Sequence, residues 1–386
     1  MSPSVCRTEN RYYFDWAATA PPVFISNTAC PFGNPSSPHS EGRAARDALE
    51  NARARCAAVL KVPAGTLYFT SGGTESNCIP LYSFLPRPGG GRILASAGEH
   101  ASISENVRAL ERLGKPVGSI PLDSAGRVTP ALLSQTFEKY RDARCAAIMA
   151  VNNEVGAIND IAALRDVMRN RADARPPIHF HCDMVQAAGK LPLDIAGWDV
   201  DSAAVSAHKL GGPRGIGLLY LKRPLEALYS GGGQERKIRP GTENVAGALA
   251  MADCLESHAP EKIADECARA RARWEHLLSA LAKIDRCRII PSERESDREG
   301  FSPYIAQVGF KGIPGEVMAR ALDDKGFAVS TGSACSSASP DRPVLAAMGV
   351  EDSLRLEGIR ISQGWSTTDE EIDLLLAAMG EVLKFL

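Results

Sequence analysis

The chain has 386 residues, of which 44% are hydrophobic and 23% charged, and its formal net charge is −2. This composition is typical of a soluble globular protein longer than one ordinary domain. The charge gives no reason to expect nucleic acid or an acidic membrane as a partner, and no stretch reaches the ~18 apolar residues of a membrane helix. The amino terminus lacks a secretory signal, and the ten cysteines form no C-x-x-C pair. We therefore expect a cytoplasmic protein whose cysteines are mostly reduced thiols.

Short apolar runs alternate with longer stretches of helical periodicity. The predicted strands are 66–70, 92–96, 146–151, 178–182, 202–207 and 215–221, and the predicted helices include 42–60, 101–112, 130–139 and 161–171. This alternation predicts an α/β protein with a largely parallel sheet covered on both faces. Too few residues separate the last two strands for a crossover helix, so we expect them to pair antiparallel.

The composition of the sequence changes near residue 257, where a long predicted helix rich in arginine and glutamate begins. A loop, weaker strands and a closing helix follow it. We therefore expect a large domain over residues 15–256 and a small domain built from residues 1–14 and 257–386.

Lys209 stands at the exit of a short apolar strand, in the segment SAHKLGGPRGIG. Ser206 and His208 precede it, and a glycine-rich bend follows. A lysine amine in such surroundings can lose its proton when it is desolvated or lies near another cation, and it then attacks a carbonyl. The segment therefore indicates imine chemistry, for which pyridoxal phosphate (PLP) is the aldehyde cofactor.

The segment TLYFTSGGTESN runs from a strand through a glycine pair into a helix. Gly73 allows close backbone approach, and Thr74 adds a hydroxyl to the unpaired N–H groups of the helix start. Together these groups suit a phosphate. Taken alone, the segment fits a plain strand–helix turn with a capping threonine at least as well.

Asp183 and Gln186 follow a strand in HCDMVQAAGK, and His100 follows another strand in SAGEHAS. A carboxylate at a strand end can keep a pyridine nitrogen protonated, and Gln186 can donate to a ring oxygen. An imidazole can stack on the ring and move protons near neutral pH. Alone, Asp183 is also typical of a helix cap and His100 of a helix start. The position of Asp183 about one βα step before Lys209 favours the cofactor site.

Four further residues are candidates on weaker grounds. Asn153, in VNNEVG, ends the most apolar strand, where a buried amide needs a partner such as a ligand oxygen. Thr242, in RPGTENVA, fits a phosphate contact or a surface hairpin equally well. Cys335, in STGSACSSASP, fits an exposed nucleophile or an ordinary free thiol. Arg360, in GIRIS, can pair bidentately with an α-carboxylate.

The motifs of this chain, taken in order, resemble those of the NifS/IscS-type cysteine desulfurases, within the class V aminotransferases. The matching segments are FDWAATAPP, GNPSSPHSEGRAAR, FTSGGTESN, VNNEVG, HCDMVQAAGKLPLD, SAHKLGGPRGIGLLY, GGGQERKIRPGTENVA, TGSACSS and GIRIS. The resemblance implies a PLP fold-type I protein, with a mainly parallel seven-stranded sheet in the large domain and a smaller α+β domain. It also implies a homodimer with active sites at the subunit interface.

The activity implied is removal of sulfur from L-cysteine, which gives L-alanine and a persulfide on Cys335 for an acceptor protein in iron–sulfur cluster assembly or tRNA thiolation. The resemblance makes Lys209, Cys335 and His100 catalytic and assigns the substrate carboxylate to Arg360. No metal is expected. Thr242 is implied to arrive from the other subunit. The cofactor-binding residues implied are Gly73, Thr74, Asn153, Asp183, Gln186, Ser206, His208, Lys209 and Thr242.

The chain departs from the family pattern at Trp16, where asparagine is usual, and at Gln363 and Trp365 beyond Arg360. A selenocysteine lyase or a cystine/cysteine β-lyase on the same fold is the alternative enzyme. An inactive sulfur carrier that keeps the fold is a third alternative, against which the presence of Lys209 and Cys335 counts.

Overall fold

The computed structural model describes residues 11–22, 30–86, 91–171, 177–227, 229–332 and 342–386. The strands in this part of the chain are β1 Tyr12–Tyr13, β2 Leu67–Thr70, β3 Arg92–Ser96, β4 Val117–Ile120, β5 Ala143–Ala147, β6 His179–Asp183, β7 Ser202–Ser206, β8 Gly217–Leu221, β9 Cys287–Ile290, β10 Ile305–Phe310, β11 Phe327–Ala328 and β12 Gly358–Ser362. The α-helices are α1 Ser40–Leu60, α2 Gly73–Tyr82, α3 Ala101–Arg112, α4 Pro130–Lys139, α5 Ile161–Arg169, α6 Ile195–Trp198, α7 Val245–Ser257, α8 Pro260–Leu281, α9 Gly315–Asp324, α10 Pro343–Ala347, α11 Asp352–Glu357 and α12 Asp369–Phe385.

The main sheet has seven strands in the order β2-β8-β7-β6-β5-β3-β4. The strands from β4 to β7 in this order run parallel, while β8 is antiparallel to both β7 and β2. Most of these strands are buried along their length, as expected when helices cover both faces of a sheet. The mainly parallel sheet and the antiparallel last pair are both confirmed.

The third predicted strand, over residues 146–151, was wrong in its position, because the strand there, β5, spans Ala143–Ala147. Beyond Ala147 the chain still runs beside β6, since the N–H of Ile148 donates to the carbonyl of His181 at 3.0 Å. The apolar residues 148–151 therefore continue the direction of β5 in a buried position, while the part of the strand that pairs with its neighbours begins earlier, at Ala143. Strand β4 was not predicted, since its glycine and serine have low strand propensity.

A separate antiparallel sheet of three strands, in the order β12-β10-β9, lies in the carboxyl-terminal part of the chain. It has its own apolar cluster, which includes Phe14, Trp274, Phe310 and Ile361. Strand β1 pairs in parallel with β11, which brings the amino-terminal segment to this part of the molecule. A separate apolar cluster is what the expected small domain requires, and the division into domains, with its boundaries, stays a prediction.

None of the helices in the described ranges combines the length and apolarity that a bilayer crossing requires.

Candidate active site

A cavity of about 250 Å³ lies where β6 and β7 end. Carboxyl ends of parallel strands are the usual location of ligand sites in such sheets. Thr242 is exposed on the loop before α7 and is not among the residues that line the cavity. Cys335 lies outside the described residues. The predicted site residues that the fold brings together around the cavity are Gly73, Thr74, His100, Asn153, Asp183, Gln186, Ser206, His208, Lys209 and Arg360.

Lys209 ends a single 3₁₀ turn that follows β7 directly. Its Nζ donates to the carbonyl of Ala18 at 2.6 Å and also to the carbonyl of Ala17. These two alanines belong to the amino-terminal segment FDWAATAPP, so that segment forms one wall of the cavity. The amine therefore faces the cavity from the end of a buried strand, held by backbone carbonyls.

Asp183, the last residue of β6, is buried with 4% of its surface exposed. Its Oδ2 accepts a hydrogen bond from Asn77 Nδ2 at 2.8 Å, and its Oδ1 accepts one from the N–H of Val185 at 2.9 Å. Both oxygens act as acceptors, which is the arrangement that an ionised carboxylate requires. The side chain can therefore serve as a fixed negative charge at the cavity wall.

His100 is the N-cap residue of α3, and its Nδ1 accepts from the N–H of Ser102 at 3.1 Å. A backbone N–H is always a donor, so the neutral ring carries its proton on Nε2. Burial lowers the pKa of His100 from its ordinary value, while Asp183 opposes this shift and Lys209 and Arg360 add to it. The ring therefore stays neutral near pH 7 and offers an N–H donor.

Gly73 keeps space open between the start of α2 and the end of β7. A Cβ atom at this position would lie 2.9 Å from Cγ2 of Val185 and 3.5 Å from Cβ of Ser206. The N–H groups of the helix start remain accessible beside Thr74 and Ser206, as an anion site needs.

His208 contacts the hydroxyl of Thr19 at 3.2 Å. Burial, with Lys209 next in effect, lowers the pKa of His208 to about 4.

Arg360, on β12, reaches the cavity from the smaller sheet and is 2% exposed. Its Nη2 pairs with Asp15 Oδ1 at 2.8 Å, and its Nη1 donates to the carbonyl of Asn153 at 2.9 Å. The buried Nε has no hydrogen-bond partner within the described residues. A buried N–H without a partner is costly, so this atom is suited to donate to a ligand oxygen.

Gln186 is held from both ends of its amide. Its Nε2 donates to the carbonyl of Ala17 at 2.9 Å, and its Oε1 accepts from Lys190 Nζ at 3.0 Å. Lys190 is 1% exposed, and burial lowers its pKa to about 7, with the charges of Lys209 and Arg360 as smaller causes. The orientation of the Gln186 amide is thereby fixed.

Several lining residues were missed from the sequence, namely Ala17, Ala18, Asn77, Ser102, Met149 and Val185. Backbone carbonyls, such as those of Ala17 and Ala18, leave no signal in side-chain chemistry. Asn77 had a usable signal, because it follows Thr74 by three residues on a helix and so lies on the same face. Within the described residues, no group of histidine, cysteine or carboxylate side chains is arranged to hold a metal ion.

Residues 12–375 match the family model described as aminotransferase class-V. The chain therefore belongs to the class V aminotransferase family.

Within that family it is similar to NifS/IscS-type proteins over most of its length. It is 38% identical over 359 residues to the NifS/IcsS protein homolog of Lactobacillus delbrueckii subsp. bulgaricus, covering 92% of this chain and 90% of the relative. It is 34% identical over 386 residues to the cysteine desulfurase IscS of Dictyoglomus turgidum, covering 96% and 94%. A solved NifS-like protein superposes with a TM-score of 0.87 at 31% identity, covering 97% of this chain and all of that one. The resemblance and the α/β fold predicted from the sequence are confirmed.

Proposed function

We propose that this protein is a PLP-dependent cysteine desulfurase, which converts L-cysteine to L-alanine and leaves a persulfide on Cys335. The observation that carries the proposal is the convergence of Lys209, Asp183, His100 and Arg360 on one cavity at the carboxyl edge of the sheet. These groups come from three strand ends and a second sheet, so their meeting requires the whole fold. The similarity to NifS/IscS-type relatives supports the same activity.

The residues around the cavity fit PLP. The space kept open by Gly73 at the start of α2 suits a phosphate, and the carboxylate of Asp183 suits a protonated ring nitrogen. The unpartnered Nε of Arg360 suits the carboxylate of an amino acid. When bound to a lysine amine, PLP supplies an activated carbon for amino substrates and a ring that accepts electrons released at the substrate Cα.

The residues proposed to hold this cofactor divide by the part that they contact. Asp183 would face the ring nitrogen, Gln186 and Asn153 would contact the ring-oxygen side, and His100 would cover the ring face. Lys209 provides the amine that attaches it. The phosphate is assigned to Gly73, Thr74, Ser206 and His208, with Thr242 of a second copy.

The chemistry of the chain's own groups follows from their contacts. Arg360 binds the substrate carboxylate while Asp15 and the Asn153 carbonyl hold its guanidinium in place. The Nζ of Lys209 takes the proton from the substrate Cα, as a general base, and the Asp183 carboxylate would accept a hydrogen bond from a protonated ring nitrogen.

Sulfur leaves by nucleophilic attack of a thiolate. The Sγ of Cys335 forms a bond to the substrate sulfur, and the bond between that sulfur and the substrate Cβ breaks. The electron pair of the broken bond remains on carbon, which takes up a proton and becomes the methyl group of alanine. The persulfide on Cys335 is then passed to an acceptor protein, such as an iron–sulfur scaffold or a tRNA thiolation enzyme.

The proposal includes a homodimer in the cytoplasm. Thr242 is exposed and outside the cavity lining of its own chain, which supports its contribution to the cavity of a second copy. Buried free thiols such as Cys56, Cys182 and Cys254 agree with a reducing compartment.

The test is an incubation of the purified protein with L-cysteine and a reductant. We expect equal amounts of sulfide and alanine, with both lost in Cys335→Ala and retained in Cys30→Ala, which removes an exposed thiol elsewhere. Lys209→Ala is expected to lose the visible absorption band of bound PLP. Pyruvate and ammonia would instead indicate a β-lyase, and turnover of selenocysteine alone would indicate a selenocysteine lyase.

A further inference from the structure

A row of buried polar side chains extends from Asp183 into the main sheet. Asn77 Nδ2 lies 2.8 Å from Asp183 Oδ2, and Asn77 Oδ1 lies 2.9 Å from His181 Nε2. His181 Nδ1 lies in turn 2.8 Å from Ser202 Oγ, which is 2.7 Å from His179 Nε2. Asn77, His181 and Ser202 are each at most 1% exposed, so water does not replace these contacts.

The direction of every hydrogen bond in the row can be deduced. Asn77 Nδ2 faces two oxygens, Asp183 Oδ2 and Ser102 Oγ at 2.9 Å, so the atom that faces His181 is its carbonyl oxygen. His181 Nε2 must therefore carry a proton and donate it. Burial lowers the pKa of His181 to about 3, so its ring is neutral and Nδ1 accepts from the Ser202 hydroxyl. His179 can then donate to Ser202, and all the donors point toward Asp183.

Asn77 also connects the two sides of the cavity. Its second N–H donates to Ser102 Oγ, and that oxygen lies 2.9 Å from His100 Nδ1. Aligned hydrogen bonds polarise one another in a low-dielectric interior, and donors to a carboxylate favour its charged form. One amide thus donates both to the carboxylate of Asp183 and to the hydroxyl that lies against His100 Nδ1.

We propose that Asn77 and His181 are positioning residues that keep Asp183 ionised and aimed at the cofactor ring nitrogen. The inference rests on the proposed function, since it concerns the residue that would hold the PLP ring. Neither side chain needs to touch the substrate. A purely structural role for His181 would affect folding stability but would leave the protonation of the ring nitrogen unchanged.

The experiment compares holoenzymes reconstituted with PLP that is isotopically labelled at the ring nitrogen. His181→Phe removes the donor to Asn77, and Asn77→Leu removes the donor to Asp183. For both variants we expect the Kd for PLP to rise about tenfold or more, since hydrogen bonds to charged groups are the strong ones. The nitrogen NMR shift is expected to move toward that of an unprotonated pyridine.

Two control variants distinguish a positioning role of His181 from a general loss of folded structure. His181→Gln keeps an N–H donor for Asn77 and is expected to restore most of the binding and of the protonated shift. His276→Phe makes the same change at an exposed histidine on α8, which contacts Asp373 and does not line the cavity, and is expected to leave both readouts unchanged.

Ser202→Ala is a smaller change, and it tests the same inference if His181→Phe does not fold. It removes the hydroxyl that donates to His181, and a Kd for PLP about threefold higher is expected. Wild-type Kd and shift in both Asn77→Leu and Ser202→Ala would overturn the inference. A wild-type protein that binds no PLP would instead contradict the proposed function itself.

Discussion

At the scale of single residues, Glu99 is a second buried carboxyl group close to the candidate site. Glu99 precedes His100 and is buried, with Oε1 accepting from the N–H of Met149 at 2.8 Å and Oε2 without a partner in the described part of the chain. Burial is the main cause that raises the pKa of Glu99 to about 8, and the charge of Asp183 adds to it. Near pH 7 the Glu99 carboxyl is therefore mainly neutral and adds no second negative charge beside the candidate site.

Glu99 should give the folding stability a distinct pH dependence. Its pKa is about 8 in the folded protein and near its ordinary value of 4.5 when unfolded, so the native state binds more protons between these values. The contribution of the neutral carboxyl is complete below about pH 4.5 and is lost as the pH rises to about 8, by up to about 1.4 kcal/mol per pH unit. We expect Glu99→Gln to remove this loss.

Urea unfolding of wild type and Glu99→Gln at about pH 5 and about pH 8 checks the sign. The variant should gain stability relative to wild type at the higher pH. Glu111→Gln, at an exposed position of α3, is the control and should follow the wild-type pH dependence. Equal pH dependence in wild type and Glu99→Gln would show that Glu99 is not neutral in the native state.

Gly73 provides a second prediction at this scale. A Cβ at Gly73 would lie 2.9 Å from Val185 Cγ2, inside the space assigned to the phosphate, whereas a Cβ at Gly65 meets nothing within 4 Å. We expect Gly73→Ala to weaken PLP binding about tenfold or more, because overpacking at this level costs about 1–3 kcal/mol. Gly65→Ala should bind PLP as wild type does. Fluorescence titration of the apoproteins with PLP measures both values, and unchanged affinity in Gly73→Ala would remove this position from the phosphate site.

At the scale of secondary-structure elements, a buried ion pair joins α1 to the loop that precedes α7. Arg53, on α1, donates to both oxygens of Glu235 at 2.7 and 2.8 Å, and Glu235 Oε2 also accepts from the N–H of Phe69 on β2 at 2.9 Å. Arg53 and Glu235 are 2% and 5% exposed. Their contact therefore fixes a helix, a strand and the segment that leads toward Thr242.

Removing one partner of this pair should be strongly destabilising. Glu235→Ala leaves the buried guanidinium of Arg53 without its main counter-charge, and we expect a loss of about 3–5 kcal/mol in the free energy of unfolding. Glu256→Ala removes a surface carboxylate that pairs with Arg55, and about 0–1 kcal/mol is expected there. Urea unfolding measures both changes, and similar losses in the two variants would contradict the distinction between a buried and an exposed pair.

At the scale of the whole molecule, much of the architecture is predictable because its determinants are local. Strand and helix periodicity is visible within short windows, so α3 and α4 agree with prediction at both ends. Site residues at strand ends, such as Asp183 and Lys209, are predictable because parallel strands bring those ends together. The contact of Asn77 with Asp183 joins residues separated by 106 positions, and its hydrogen-bond direction depends on the whole buried row. Such a contact leaves no pattern within a sequence window.

Trp16 and Trp365, two departures from the family pattern, prove to be neighbours in the fold. Their rings meet edge to face with centroids 4.7 Å apart, and Trp365 also packs on His258 at 4.2 Å. The cluster joins the amino-terminal segment, the loop after β12 and the end of α7. A Cβ at Gly364 would lie 2.1 Å from the Trp16 ring, so the glycine there is part of the same arrangement.

The asparagine usual in the family should therefore be costly at position 16 of this chain. Trp16 is 2% exposed and sits directly before Ala17, whose carbonyl holds Lys209 and Gln186. Trp16→Asn leaves a cavity beside Trp365, and we expect a loss of about 3–5 kcal/mol in the free energy of unfolding, together with weaker PLP binding. Trp198→Asn, at a half-buried position of α6, should cost less and leave PLP binding unchanged. If Trp16→Asn unfolds at the wild-type urea concentration, the aromatic cluster does not join these segments energetically, and the departure from the family pattern is neutral.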